Sequence, residues 1–259
     1  MSDFDRNYAA ARRFGADRAV AIDAGLRAHM IRVYNYMVVG LVATGLVALA
    51  TYALAVTGDP AAAVARGPGG ILLTSLGYAM FVSPLRWVVI LAPLALVFFI
   101  SFRIGNLSAS TARTLFIVYA ASLGLSLATI FLVYTYASIA QVFFISAASF
   151  GALSLWGYTT QRDLTAFGSF LIMGLFGVII ASVVNAFLGS PALNWTISVI
   201  GVIVFAGLTA WDTQKIKEMY DPMDDGTVGG RKAVMGALSL YLDFINLFLM
   251  LLRIFGDRR

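Results

Sequence analysis

The sequence predicts an all-α membrane protein of seven transmembrane helices, and three observations carry that prediction. Of its 259 residues, 60% are hydrophobic and only 12% charged, whereas a soluble domain of this size charges about a quarter of its residues. Seven apolar segments approach the roughly 20 residues that a helix needs to cross a hydrocarbon core. Between them lie polar or glycine- and proline-marked turns, the punctuation that separates one helix from the next.

Residues 1–31 form a polar N-terminal arm in which Arg6, Arg12, Arg13, Arg18 and Arg27 are interleaved with Asp3, Asp5, Asp17 and Asp23. It shows no cleavable signal pattern and is expected to be a solvated, partly helical arm that sets topology. Residues 32–259 form the transmembrane domain. The first span covers 33–56 and is closed by Gly58-Asp59-Pro60. A long loop to Pro84 contains Gly67-Pro68-Gly69-Gly70 and the mildly apolar run Ile71 to Val82, too short to span and read as interfacial. The second span, 87–102, includes Pro93, where a kink is expected. Arg103 to Arg113 turns into the third span, 114–134. Tyr136-Ala137-Ser138 leads into the fourth, 139–158, and Arg162 and Asp163 mark the loop before the fifth, 167–188. Gly189-Ser190-Pro191 turns into the sixth, 195–211, and a polar segment from Asp212 to Lys232 precedes the seventh, 236–256.

Charge sets the expected orientation. Most of the 18 lysines and arginines fall in the arm or in loops on its side of the membrane, including Arg103, Arg113, Arg162, Lys215, Lys217, Arg231 and Lys232. The positive-inside bias therefore places the N-terminus in the cytoplasm. Arg253, Arg258 and Arg259 fall on the other side, Arg253 as a snorkelling anchor. The basic residues flank apolar segments and form no separate domain, which argues against nucleic acid as a partner. Cysteine is absent and the single histidine, His29, lies in the arm. Thiolate metal sites, cysteine nucleophiles, histidine zinc sites and Ser-His catalytic pairs are thereby disfavoured.

Small residues such as Gly168, Gly174 and Gly177, and Ser146, Ser149 and Ser154, permit close helix contact in lipid. Asn185, with Ser182 one turn earlier, is expected to make an interhelical hydrogen bond. The cluster Asp221, Asp224 and Asp225 lacks the spacing of an EF-hand and reads as a solvated loop.

The chemistry concentrates in the last two spans. On the seventh, Ser239, Asp243, Asn246, Met250 and Arg253 recur at spacings that place them on one stripe of a helix, with Leu240, Leu242, Ile245, Leu249, Leu252 and Phe255 around the rest. An acid facing lipid is penalised by about 3 kcal/mol, so this stripe should face protein or water. On the sixth span, Ser198, Gly201, Phe205 and Thr209 lead along one face to Asp212, at the end of the predicted helix. Both acids enter from the same side, with Asp243 about two turns into its predicted helix. Two carboxylates brought within a few Å cannot both ionise freely. Such a pair takes up a proton, binds a hard cation such as Ca²⁺ through oxygen, or does acid–base work. A neighbouring arginine would lock one acid in its ionised form; Arg103 has the right depth, and Arg113 competes with it.

The stretch Ala237 to Gly256 (ALSLYLDFINLFLMLLRIFG), preceded by Ala210 to Lys217 (AWDTQKIK), resembles the Bax inhibitor-1, or transmembrane BAX inhibitor motif, family, whose bacterial members it is most similar to. The seven-span layout extends the likeness over most of the chain after about residue 30. The resemblance implies a bundle whose C-terminal helix is central, wrapped by the other six. It implies a pH-sensitive Ca²⁺ leak through the membrane, in a bacterium the inner membrane, with no tightly bound cofactor. Asp212 and Asp243 match the proton-sensing family aspartates, which would also contact the transported Ca²⁺, and an arginine ending the second span would latch the sixth-helix acid until protonation frees it. The turn Arg103-Ile-Gly-Asn-Leu-Ser departs from the family pattern, and Trp211 stands where a tyrosine is usual. Thr209, Ser239 and Asn246 are the expected pore-facing neighbours of the pair.

Two other readings compete with the leak. Family members are discussed as stress and cell-death modulators, which implies a regulatory protein that binds a membrane-protein partner such as a quality-control protease. Intramembrane aspartyl proteases also use two aspartates on adjacent spans. They carry Gly-x-Gly-Asp, however, where this chain has Leu240-Tyr241-Leu242 before Asp243, so the expectation is a protein that is not an enzyme.

Overall fold

The computed structural model describes residues 3–259, with side chains from Asp23 onward. Its helices are α1 (Asp3–Ala55), α2 (Ser75–Phe81), α3 (Leu85–Arg103), α4 (Ala109–Leu127), α5 (Ile130–Val133), α6 (Tyr136–Thr159), α7 (Thr165–Leu188), α8 (Pro191–Glu218) and α9 (Gly226–Phe255). Between α1 and α2 a small antiparallel ribbon pairs β1 (Ala65–Arg66) with β2 (Leu72–Leu73). Among the described residues, seven helices are long and apolar enough to cross a membrane: α1, α3, α4 with α5, α6, α7, α8 and α9. The protein is an all-α membrane protein.

Local chemistry fixes where these helices start. The side-chain oxygens of Ser108, Thr135 and Ser190 accept hydrogen bonds from Thr111, Ser138 and Leu193 backbone N–H groups at the heads of α4, α6 and α8. Each satisfies a donor that the first helical turn leaves unpaired. Pro191 follows in the first turn of α8, where its missing N–H costs nothing. Gly189 ends α7 in the left-handed region at φ 63°, which a side chain would resist.

The bundle is built around α9. It packs against α1, α4, α6 and α8, while α3 rests on α4 and α7 on α8. The inner ring around the central helix is thus chiefly four helices, with α3 and α7 outside it. Close approach within the ring depends on glycine: a Cβ at Gly124 would overlap the Thr44 carbonyl, and one at Gly157 the Ala210 carbonyl.

Several boundaries differ from the sequence reading. The arm does not stop before the first span, since α1 runs on through both. Its residues before Asp23 have no described side chains, but His29 and Met30 are buried. They pack because α1 carries them alongside the end of α8, where the His29 ring lies 5.8 Å from that of Tyr220. The polar segment between the last two spans is mostly helix: α8 continues to Glu218 and α9 begins at Gly226, capped by Asp225 through the N–H groups of Thr227 and Val228. Polar residues extend these helices beyond the apolar windows at no solvation cost, since helix propensity does not depend on hydrophobicity. α3 continues through Pro93 as one helix.

Candidate functional site

α8 and α9 are consecutive and antiparallel, and two tight contacts set their register. Gly236 sits under Ile216 near the α8–α9 turn, and Gly201 sits under Met250 near the opposite end. In that register the α8 stripe (Ser198, Gly201, Phe205, Thr209, Asp212) faces the α9 stripe (Ser239, Asp243, Asn246, Met250, Arg253). The carboxyl groups of Asp212 and Asp243 are near neighbours across the α8–α9 interface, each within reach of the other's charge. Their approach is attractive only when one of the two carries a proton to donate.

The two acids have different surroundings. Asp243 is 5% exposed, and its Oδ2 has no hydrogen-bond partner. It lies about five turns into α9, deeper than the sequence placed it, because the helix starts earlier. Its sequence neighbour Phe244 packs edge-on to Phe143 and Phe150 of α6. Tyr241, two residues before Asp243 and therefore on the other side of α9, is fully buried between Phe116 and Tyr119, and its hydroxyl meets that of Thr44 at 2.6 Å. Asp212 is half-buried and lies inside α8 rather than at its end.

Lys215, three residues on along the same helix, brings a positive charge near Asp212 without an ion pair between them, its Nζ 4.9 Å from the centre of the Trp211 ring. Sequence reasoning passed over Lys215, although its spacing from Asp212 places both on one helix face. Arg103 and Arg113 are exposed, and among the described residues neither forms an ion pair. The reason is architectural: Arg103 ends α3, which is seated on α4 in the outer layer. The turn beside it is held instead by Arg231, whose guanidinium donates to the carbonyls of Gly105 and Leu107.

The expected neighbours of the pair lie along the facing stripes. Thr209 is fully buried and donates to the Phe205 carbonyl at 2.8 Å. Asn246 donates from Nδ2 to the Leu242 carbonyl at 2.8 Å, leaving its Oδ1 free to accept, and Ser239 is half-buried. Beyond them the Met250 side chain fills the gap over Gly201 and closes the stripe toward the opposite end.

Interhelical polar contacts hold α8 in place, and most were not legible as sites. Tyr34, Ser154 and Thr213 form a hydroxyl chain from α1 through α6 to α8, with oxygen separations of 2.6 and 2.9 Å. Gln214 accepts from the Leu164 N–H and donates to the Arg162 carbonyl, both at 2.8 Å, pinning the α6–α7 loop onto α8. Asn185 makes no interhelical bond of the expected kind; its Oδ1 accepts from the Ser190 N–H at 3.0 Å and braces the α7–α8 turn. The acidic cluster does more than face solvent, since Asp224 pairs with Lys232 at 2.6 Å and Asp225 caps α9. Among the described residues no group of three or more acidic, histidine or cysteine side chains is placed to hold a metal.

Comparison with known proteins bears on what this arrangement is. A sequence model of the family described as "Inhibitor of apoptosis-promoting Bax1" matches residues 26–259. The chain belongs to the Bax inhibitor-1 family. It is 50% identical over 246 residues to the Escherichia coli K12 "Inner membrane protein YbhL", covering 94% of this chain and 97% of that one. An uncharacterized Caulobacter vibrioides protein is 46% identical over 266 residues, covering all of both chains, and one from Rickettsia prowazekii is 45% identical over 237 residues, covering 92% of each. In this Bax inhibitor-1 chain, then, the two acidic motifs that carry the resemblance are also the residues that meet between the central helix and its tightest neighbour.

Proposed function

We propose that this protein is a proton-responsive Ca²⁺ leak pathway of a bacterial inner membrane, with its N-terminus cytoplasmic and Asp212 and Asp243 as both proton sensor and transient ion contact. The observation that carries the reading is the proximity of two carboxyl groups from facing membrane helices, one of them with an oxygen left unpaired in the interior. A buried polar atom without a partner costs about 1–3 kcal/mol, so its retention calls for a use. Removing the shared proton leaves two facing negative charges, which either repel or attract a cation. Ca²⁺ takes about 6–8 oxygen ligands, and two carboxylates with Thr209, Ser239 and the Asn246 amide offer only part of that set. Such a site passes the ion on rather than storing it, and works as a passive pathway, not an enzyme. The inner-membrane assignment is supported by the name of the Escherichia coli relative, and the orientation by the charge bias of the loops. Lys215, on the same helix as Asp212, supplies the positive charge that reaches it, so this switch needs no arginine latch.

The test is Ca²⁺ leak from dye-loaded vesicles carrying the purified protein, followed over about pH 6 to 8 for the stepwise response of a coupled pair. Wild type is expected to change its leak with pH, and Asp243→Asn to leak at a constant rate. Identical pH profiles for the two would end the gating claim.

A second reading, a regulatory protein that binds a membrane-protein partner, is favoured by one feature. An apolar groove of about 1300 Å³ runs between α1 and α6 with Phe244 of α9 among its lining residues. Gly45 and Gly151 open onto free space there, the kind of surface on which a partner's transmembrane helix packs. A partner that co-purifies in stoichiometric amount and is lost on Gly151→Leu would support this reading.

A further inference from the structure

At the end of the bundle away from the α8–α9 turn, a polar cavity of about 500 Å³ opens between the end of α7, the start of α8 and the end of α9. Arg253 and Arg258 line it with Asn185, Asn194, Trp195 and Ser198, and no acidic residue lines it. Both arginines are exposed, and among the described residues neither has a carboxylate partner. The Arg253 guanidinium lies 3.9 Å from the Met250 sulfur, the side chain that closes the stripe leading to the acid pair. Asn185 spends its carbonyl on the Ser190 N–H, and Ser198 donates to the Asn194 carbonyl, which leaves the Asn185 amide as a free donor.

Two guanidiniums at the mouth of a cation path form an electrostatic barrier, as arginines do in pores that exclude cations. Their planar donor forks match tetrahedral phosphate oxygens, and a pair of them with an amide donor makes a charge-assisted cradle. Trp195, 60% exposed, marks the depth of the membrane–water interface, where lipid phosphates lie. We propose that this cavity binds a phosphate-bearing anion between Arg253 and Arg258, and that the bound anion neutralises the mouth of the pathway. The binding stands on the cavity alone; its effect on flux rests on the leak reading above.

The ligand is either a phospholipid headgroup or free phosphate, and two measurements on the purified full chain separate the sources. Inorganic phosphate is titrated against the protein in phosphatidylcholine nanodiscs, and retention of phosphatidylglycerol over phosphatidylcholine is read by native mass spectrometry. The double variant Arg253→Gln, Arg258→Gln is expected to weaken at least one by tenfold or more, while Arg86→Gln, an exposed arginine outside the cavity, leaves both unchanged. Arg253→Lys, which keeps charge but loses the fork, is expected to fall in between, and it tests the site if the double variant fails to fold. Equal phosphate binding and equal lipid retention in wild type and double variant would overturn the site, as would an Arg86→Gln loss of the same size. Ca²⁺ leak on the same preparations divides the two readings: phosphate binding with a leak that ignores it keeps the site and removes the pathway.

Discussion

α7 and α9 are both long apolar helices, yet they occupy opposite places in the bundle. The apolar window of α7 has mean hydropathy 2.4 and is 11% buried, whereas that of α9 has mean hydropathy 1.8 and is 72% buried. The more hydrophobic helix is the outer one. In water the ranking would reverse, but lipid solvates apolar side chains as well as a protein core does, so polarity decides which helix goes inside. α9 carries Asp243, Asn246 and Ser239 on one stripe and must bury them; α7 presents Phe170, Met173, Phe176 and Ile180 outward at no cost.

That contrast can be broken most severely at the glycines. Gly157→Leu drives a side chain into the Ala210 backbone and is expected to destabilise by about 3 kcal/mol, whereas Gly177→Leu on α7 meets open space and should be nearly silent. Thermal unfolding in detergent compares them, and equal melting points would refute the close packing of α6 on α8. A charge on the outer helix comes next: Phe176→Asp, at a position 59% exposed, should cost about 3 kcal/mol in membrane insertion and lower the inserted fraction. Insertion at wild-type level would mean that α7 has a protein partner on that face. Gln214→Ala removes both hydrogen bonds that tie the α6–α7 loop to α8 and is expected to cost about 1–3 kcal/mol. Faster hydrogen exchange at Leu164, confined to that loop, is the readout.

The smallest effect lies outside the membrane, where the Thr165 side chain and its N–H hydrogen-bond Asp163 and hold its carboxyl below the usual range. This interaction stabilises the fold above the ordinary carboxylate range and is lost as pH falls through the lowered value. Thr165→Val should move the Asp163 titration upward, seen by NMR, and an unmoved titration would leave the hydroxyl without a role.

Asp243 was legible because an acid inside a continuous apolar run has no cheap explanation, and the stripe around it needed only helical spacing. Asp212 was legible mainly through the motif it belongs to, since the sequence placed it at a helix end. The extensions of α8 and α9 past their apolar windows were hidden, because hydropathy marks the membrane and not the helix. Gln214 and Gly157 were hidden for a different reason: their roles depend on which backbone lies opposite, and a single chain's pattern does not name its neighbours. The arginine was legible as a residue type but not as a contact, because the sequence does not say that α3 belongs to the outer layer.

One consequence follows from the order of the helices along the chain. The hub of the assembly is made after all six helices that surround or flank it, so Thr44 and Tyr119 enter the bilayer before Tyr241, which completes their setting, exists. Biogenesis must therefore pass through a hollow intermediate whose inward polar groups are served by water, lipid or a helper protein. Slowing translation between Glu218 and Gly226 should prolong that state, which makes late synthesis, rather than early insertion, the vulnerable moment in this protein's life.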